Sequence, residues 1–557
     1  MSVPTQPVTT RFYSSVFLPM LVYAVCIWWW VCPMGFDIRT DLIGYLGSDT
    51  LDTLSLRWAF WHQDSHFAPL GWDAMRVTPN FLDHLFFYPL LSLPFPLADN
   101  IWWLSQLWLS MLLADAFGRQ LAPQSPPAGW LSGFTLLCVD TIVRDINWGH
   151  SPQVMWWAPL GTLLFLIKWC NTSRQRDLLV SGLLLAISGW CYFFFVPFLF
   201  LMTLPLWWAQ GQSNRQAFPS FLQWSVVGLL FLAPNIWFLY THSTQMTAIP
   251  TPPLVNGQTL TDIHSATFKT LLSGTPIDIS NLFSIIWCIV VGWGGYHAWI
   301  KRRFHFWWGL WMVILGISLI FGTNGFLFGG IQHLPFMSRL LWPERFGILL
   351  VLGAIPWLVH TRGLWWLLPL MLVEQRVRSH NLPLHTESMT PWLCLSTLQD
   401  QEGIVLELPL KDSDPLYNQQ SLRQRIHQRP LLNPLILPPF IDPPQGWRSI
   451  PFRPEIQAVD GERTFSNEHL EVLQDLGITS ILVDTIALPT NRQNRIINHL
   501  SPVLGEPLNL GCGLVWVLDQ STLSAIPSLT VTTTPEITIP STQEPWYIGH
   551  PSTSSKE

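Results

Sequence analysis

The residues best suited to chemistry form an acidic segment, residues 37–57, just after the first strongly apolar run. Its four carboxylates are Asp37, Asp41, Asp49 and Asp52. If Gly47 interrupts the chain and a helix begins near Ser48, Asp49 and Asp52 stand three residues apart and share one helix face. A carboxylate beside an apolar wall suits a general base that takes a proton from a hydroxyl. The same residues equally suit a capped helix start in a solvated loop.

Other polar side chains follow this segment closely. Arg57 and Arg76 are candidate contacts to a phosphate group, or alternatively anchors at a membrane interface. Between them, His62, Asp64 and His66 alternate, so a strand would place all three on one face, as a metal site needs. Short polar loops produce this spacing by chance, and no fourth ligand is evident. We therefore assign neither a metal nor a cofactor, although a divalent metal stays compatible with the sequence.

A second polar group ends the apolar run before residue 150. It consists of Asp140, Arg144, Asp145 and His150. Ionisable groups at the edge of a membrane span are costly unless they are paired or hydrated, so Asp145 and His150 are candidate substrate contacts in a polar cavity. Alternatively, Arg144 pairs with a neighbouring acid and only holds the helix end in place.

Two more segments carry candidate substrate contacts. Arg339 and Arg345, with Glu344 between them, match a lipid phosphate, because guanidinium groups bind phosphate oxygens in a bidentate way. Anchoring of a helix among lipid head groups is the equal alternative. Tyr192 opens the aromatic run 192–195 and is a candidate to line a groove for a lipid chain, or else a member of an aromatic belt.

The composition indicates what kind of protein positions these residues. Of 557 residues, 49% are hydrophobic and only 11% charged, against roughly 25% charged in soluble domains. This predicts a mostly α, polytopic membrane protein. The formal net charge is -6 and no basic run occurs, which argues against a nucleic-acid partner.

Eleven apolar segments are predicted to span the membrane: 14–32, 101–117, 128–143, 153–169, 178–193, 195–209, 222–240, 282–300, 306–321, 346–360 and 363–373. The run 81–97 is left out, because it begins with Asp83 and His84 and contains three prolines. We expect it to lie at the interface or to re-enter the membrane.

The distribution of arginine and lysine fixes the sides. With the N-terminus in the cytoplasm and 81–97 excluded, the cytoplasmic side receives Arg119, Arg174, Arg176, Arg215, the cluster 301–303 and Arg362. The C-terminus is then outside the cytoplasm. The same arithmetic brings Asp49, Asp52, Asp145, His150, Arg339, Glu344 and Arg345 to the outer face. That convergence is the main functional signal in the sequence.

The change in composition near residue 378 predicts separate domains. They are a polytopic domain, 1–378, whose outer loop 33–100 carries the acidic segment, an extracytoplasmic α+β domain, 379–525, and a disordered tail, 526–557. Strands are expected at 403–410, 479–484 and 513–518, and helices at 468–476 and 491–500. Cys394 and Cys512 could form a disulfide outside the cytoplasm, although two free thiols are the favoured expectation.

Several short motifs together resemble the GT-C class of multispanning glycosyltransferases, and more narrowly a bacterial group with a C-terminal soluble domain. The matching pieces are residues 47–53 (GSDTLDT), 147–150 (NWGH), 157–160 (WAPL), 339–346 (RLLWPERF), 372–374 (LVE), 405–409 (VLELP), 429–431 (RPL) and 476–484 (LGITSILVD). The resemblance covers most of the chain, and it depends on the order and spacing of these pieces.

This resemblance implies sugar transfer on the outer face of the membrane. The membrane would be a bacterial inner membrane, with the C-terminal domain in the periplasm. The donor would be a polyprenyl-phosphate-linked sugar, the acceptor a glycan, a lipid or a protein, and the base a carboxylate of the first outer loop. Asp49 is the first choice for that base and Asp52 the second. The sequence departs from the Asp-Glu pair of many members, because Thr50 follows Asp49.

Two other classes of function compete. A transporter or flippase for a lipid-linked glycan would carry ionisable residues deep within its spans, or an inverted repeat. The charges here lie mostly at span ends, and no repeat is clear. A non-catalytic membrane scaffold, whose C-terminal domain binds partners, predicts that the acids of the first loop tolerate substitution.

Overall fold

The computed structural model describes residues 11–46, 50–62, 81–138, 140–213, 217–241, 285–301, 303–321, 346–361, 363–379, 382–408, 420–432, 454–461, 464–486 and 488–518. Within them the protein is mostly helical, with a small mixed sheet in the C-terminal part, residues 382–518. The helices before residue 379 are α1 (Arg11–Cys26), α2 (Thr50–Trp61), α3 (Phe81–Phe87), α4 (Leu97–Leu121), α5 (Pro126–Thr135), α6 (Asp140–Asn147), α7 (Trp157–Thr172), α8 (Gln175–Cys191), α9 (Phe195–Ser213), α10 (Ala217–Thr241), α11 (Ile285–Lys301), α12 (Arg303–Ile320), α13 (Gly347–Leu358) and α14 (Leu368–Arg378).

The apolar runs fold as helices nearly where the sequence predicts, with one break. The predicted segment 128–143 is divided, because α5 ends at Thr135 and α6 begins at Asp140. The chain turns between them, where the amide of Cys138 donates to the carbonyls of Phe134 and Thr135. The cause lies in α6, whose alternating acids, arginine and apolar residues suit an amphipathic helix rather than an apolar span.

The proline-rich run 81–97 is irregular, as expected. It forms α3, a 3-10 turn over Tyr88–Leu90 and further turns before α4 begins. Prolines cannot continue a helix without loss of backbone hydrogen bonds, which explains the interruptions.

In the described residues, one helix is both long and apolar enough to cross a membrane, by length and composition. It is Ala217–Trp237, with 21 residues and a mean hydropathy of 1.4. Shorter apolar helices cover Phe17–Val31, Phe195–Gln210, Phe304–Ile320 and Gly347–Leu358. Eleven spans therefore stay a prediction.

Close helix packing organises the part before residue 379. Helix α4 packs against α5 and α7, α8 packs against α7 and α10, and α12 packs against α13. At Gly309 of α12, a Cβ would lie 2.8 Å from the carbonyl oxygen of Gly353 and 2.4 Å from Nε1 of Trp357. Only a residue without a side chain lets α12 and α13 approach this closely.

The C-terminal part forms the expected α+β arrangement. Strands β3 (Ile404–Leu408) and β4 (Ile478–Asp484) pair in parallel, and β6 (Gly513–Val517) pairs antiparallel with β4 and with β5 (Leu508–Asn509). The helices there are α15 (Gln420–His427), α16 (Pro454–Val459), α17 (Asn467–Asp475) and α18 (Thr490–Leu504). The predicted strands β3, β4 and β6 and the predicted helices α17 and α18 are confirmed.

The C-terminal part is joined to the acidic segment by strand pairing and by a shared core. Strand β1 (Asp41–Ile43) pairs antiparallel with β2 (Thr386–Ser388). Beside this pair, Leu42, Leu54 and Phe95 pack in one apolar cluster with Leu422 and Ile426 of α15. Neither the strand pairing nor the shared cluster was predicted from the sequence.

Cys394 and Cys512 form a disulfide, with their Cα atoms 6.3 Å apart. The expectation of two free thiols was therefore wrong. Spacing along the chain could not decide the matter, because 118 residues separate the two cysteines and only the fold brings them together.

Candidate functional site

Helix α2 begins against the segment 147–150. Thr50 Oγ1 lies 3.4 Å from the carbonyl oxygen of Asn147, and Thr53 Oγ1 donates to the carbonyl of Gly149 at 2.5 Å. Just before α2, the amide of Tyr45 donates to the same Asn147 carbonyl at 2.8 Å. The two polar segments that the sequence analysis placed on one side are therefore in direct contact.

Asn147 also connects this contact to the C-terminal part. Its side-chain oxygen Oδ1 accepts a hydrogen bond from the amide of His385 at 2.9 Å. The ring of His385 stacks on that of Tyr45, with centroids 4.1 Å apart. One asparagine thus holds three stretches of chain that are far apart in sequence.

Asp145 and His150 form a pair at the end of α6. His150 Nδ1 lies 3.1 Å from Asp145 Oδ1, and the amide of His150 donates to the Asp145 carbonyl at 2.8 Å. Gly149 makes this tight return possible, because it adopts a positive φ of 75° that side chains disfavour. The buried carboxylate orients the imidazole, as in pairs that hold or transfer a proton.

Arg144 approaches the same carboxylate, with Nη2 at 3.6 Å from Asp145 Oδ1. This contact agrees with the alternative prediction, in which Arg144 pairs with a neighbouring acid at the end of the helix. It does not remove the candidate role of His150, whose side chain stays 15% exposed.

Tyr192 caps the C-terminal end of α8, where its amide donates to the Ser188 carbonyl at 2.9 Å. Its ring packs edge-on against Phe194 and Phe195, each with centroids 5.2 Å apart. Phe195 in turn contacts Trp156, at 4.7 Å between centroids. These contacts form a row of aromatic rings from Tyr192 to Trp156, which follows His150 in the sequence. The role of Tyr192 in binding a lipid chain stays a prediction.

Arg57 lies in a fully buried cluster with two acids. Its Nε lies 3.3 Å from Asp83 Oδ1 and its Nη1 3.4 Å from Asp99 Oδ1. The remaining Nη2 donates to Ser151 Oγ at 2.9 Å, and the guanidinium stands 3.7 Å from the ring centroid of Trp102. Since every nitrogen of the guanidinium is engaged, these contacts give no support to the prediction that Arg57 binds a phosphate.

Arg425 completes the same cluster from α15. Its Nη2 lies 2.6 Å from Asp99 Oδ2, and its guanidinium is 4.9 Å from the ring of Trp58. Arg425 was not among the residues predicted from the sequence, although four basic residues within 423–429 were a signal that this short stretch needs anionic partners. Asp83 and Asp99 were not predicted as partners of Arg57 either.

A second buried cluster lies within the C-terminal part. Arg423 bridges Glu407 and Asp484, with both nitrogen–oxygen distances at 2.8 Å. His427 Nε2 lies 2.9 Å from Glu407 Oε1, while His427 Nδ1 accepts the amide of Arg429 at 3.1 Å. Because Nδ1 accepts a proton donor, the ring is neutral, and burial lowers the pKa of His427 while Glu407 opposes that shift.

Within the described residues, no group of three or more His, Cys, Asp or Glu side chains could hold a metal ion. His62 stacks on Trp58, and its Nδ1 lies 3.1 Å from the Trp58 carbonyl oxygen. Burial lowers the pKa of His62, with Arg425 adding to the shift. The other two members of the alternating triad, Asp64 and His66, lie outside the described residues.

Several predicted site residues fall in ranges that the structure does not describe. They are Asp49, Arg76, Arg339, Glu344 and Arg345, together with nearly all of the loop 241–281. Asp52 belongs to α2. The roles given to all of these residues stay predictions.

Comparison with known proteins gives structural similarity only. No protein-family model matches the chain, and no curated protein matches it. Two solved structures of the oligosaccharyltransferase of Archaeoglobus fulgidus are similar in shape. The first, AglB with an inhibitory peptide and a dolichol-phosphate, has a TM-score of 0.43 and 10% identity, over 88% of this chain and 71% of that chain. The second, tethered to an acceptor peptide containing the NVT sequon, has a TM-score of 0.46 and 10% identity, over 90% and 72%.

Proposed function

We propose that this protein is a membrane glycosyltransferase of GT-C type. It would transfer a sugar from a polyprenyl-phosphate-linked donor to a glycan, lipid or protein acceptor on the outer face of the membrane. The observation that carries the proposal is the contact of α2 with residues 147–150, through Thr50 and Thr53. The contact supports the proposal because Asp52 belongs to α2, Asp49 precedes this helix in the sequence, and residues 147–150 include His150, the partner of Asp145.

The reaction requires few protein groups. A carboxylate, Asp49 or Asp52, takes the proton of the acceptor hydroxyl. At the same time the hydroxyl oxygen forms a bond to the anomeric carbon of the sugar. The bond between that carbon and the phosphate oxygen breaks, and the lipid phosphate leaves with the electron pair. Cations stabilise the departing phosphate, and Arg339 and Arg345 are the proposed source. A lipid-phosphate donor needs no loop for nucleotide binding.

The disulfide supports the proposed side of the membrane. Disulfides persist in the periplasm and in extracellular compartments and are rare in the cytoplasm. A bond between Cys394 and Cys512 therefore fits a C-terminal part that lies outside, beside a site that faces the same compartment.

Sugar transfer in membrane vesicles tests the proposal. Vesicles with the wild-type protein receive polyprenyl-phosphate-linked sugars, and product formation is compared with Asp49→Asn, Asp52→Asn and the double variant. Loss of a general base lowers kcat by about 10²- to 10⁴-fold. Asp475→Asn, at an exposed acid of α17, is the matched control and keeps wild-type activity. Transfer that survives the double substitution would remove both acids from the mechanism.

A transporter for a lipid-linked glycan is the second candidate, and one buried group favours it. Asp115 of α4 accepts a hydrogen bond from the Tyr23 hydroxyl at 3.2 Å and pairs with Arg119 at 2.7 Å. Ionisable groups inside a helical bundle often line paths for ions or substrates. Flipping of a labelled lipid-linked glycan by Asp115→Asn vesicles, compared with wild type, separates this function from sugar transfer.

A further inference from the structure

Helix α15 carries basic residues on two opposite faces, and both faces are buried. Arg423 and His427, four residues apart, point to Glu407 of β3. Arg425, halfway between them, lies on the other side of the helix and reaches Asp99 at the start of α4. The helix therefore binds the sheet of the C-terminal part with one face and the N-terminal part with the other.

The buried cluster around Arg57 has no net charge only when Arg425 of α15 takes part in it. Arg57, Asp83 and Asp99 together carry one excess negative charge, and Arg425 neutralises it. All four side chains are at most 4% exposed, so water cannot replace the missing cation. A buried carboxylate that loses its cation is strongly destabilising, because no solvent compensates its charge.

The same contacts hold α2. Arg57 and Trp58 belong to α2, and the first pairs with Asp99 while the second lies under the guanidinium of Arg425. One turn earlier, Leu54 packs in the apolar cluster that includes Leu422 of α15. The opposite end of α2 is fixed by Thr50 and Thr53 on residues 147–150. Helix α2 is thus clamped between the N-terminal part and α15.

We propose that Arg425 is a positioning residue for the active site: the C-terminal part sets the position of α2, and with it the predicted base, through the buried chain Arg425–Asp99–Arg57. The link to a base rests on the proposed function. The clamp on α2 does not, since it follows from contacts that exist without substrate.

Hydrogen exchange on the full-length protein in membranes tests the clamp directly. In Arg425→Met, amides of α2 exchange at least about tenfold faster than in wild type, because the helix loses its buried partner. Amides of β4 keep their wild-type protection, which shows that the C-terminal part is still folded. Arg425→Lys restores part of the protection. The control Arg495→Met, at an exposed arginine of α18, changes neither.

Kinetics with a polyprenyl-phosphate sugar then tests the link to catalysis. Arg425→Met lowers kcat by about 10²-fold with an unchanged KM for the donor, as a small displacement of a catalytic group does, and Arg425→Lys recovers part of kcat. Unchanged exchange of α2 in Arg425→Met overturns the proposal, and so does faster exchange with unchanged kcat. Absence of transfer by the wild type would instead refute the proposed function, and the exchange of α2 would still decide whether Arg425 holds this helix.

Discussion

Removal of the disulfide is expected to destabilise the C-terminal part. Cys394 and Cys512 close a loop across 118 residues. In the chain-entropy description, a cross-link over a loop of this length restricts the unfolded chain by about 5 kcal/mol at 25 °C. The double variant Cys394→Ser/Cys512→Ser should therefore lose several kcal/mol of unfolding free energy, up to about that value.

The assay is urea unfolding of the purified full-length protein, followed by hydrogen exchange of the amides in β4, which lie in the centre of the sheet. The wild type with its disulfide intact is compared with the reduced wild type and with the double variant. Cys288→Ser, at an exposed cysteine outside the disulfide, is the control and leaves the midpoint unchanged. Reduced wild type and double variant should unfold at the same lower urea concentration.

Alkylation of intact cells provides an independent readout of the same bond. A protein with the disulfide retains six alkylatable thiols out of its eight cysteines, and reduction before denaturing alkylation adds two. Equal urea midpoints for the oxidised wild type and the double variant would refute the reasoning. Eight free thiols in protein taken directly from cells would contradict both the bond and the proposed outer location of the C-terminal part.

Three further predictions concern single side chains. The contribution of neutral His427 to stability is full above its unfolded pKa near 6.5 and is lost as the pH falls below that value, because burial lowers the folded pKa. A flat unfolding profile between pH 7 and 5, or one unaltered by His427→Gln, would contradict this. Glu407→Gln removes the carboxylate that His427 contacts and one of the two that Arg423 bridges, while Asp484 still pairs with Arg423. It should cost about 1.5–3 kcal/mol in urea unfolding, and a loss under about 1 kcal/mol would contradict it. Gly309→Ala places a methyl group against Gly353 and Trp357 and should lower thermal stability by about 1–3 kcal/mol, whereas Gly292→Ala, where nothing lies nearby, should not.

Local signals in the sequence were enough to place most helices and strands. Apolar runs predicted α4, α7, α8, α9 and α10, because a long apolar segment satisfies its backbone only as a helix. The short apolar run with β-branched residues within 479–484 predicted β4. The division between α5 and α6 was missed, since the apolar count over 128–143 concealed the polar face of α6.

Relations between distant segments were beyond this kind of reasoning. Counting spans assigned α2 and residues 147–150 to the same side of the membrane, but it did not predict that they touch. Arg425 and Asp99 are 326 residues apart, and no pattern along the chain relates them. A weaker signal did exist, because Glu407 interrupts an apolar strand and a buried carboxylate requires a cationic partner.

The pairing of β1 with β2 can form only late in biosynthesis, after residue 388 has been synthesised. Residue 41 leaves the ribosome long before its partner at residue 388, and at about 5–20 residues per second the interval is roughly 20 to 70 seconds. During that time the edge of β1 has no strand beside it. The segment that holds the proposed base is thus among the last to reach its final shape, and a chain that stops at residue 378 never completes it.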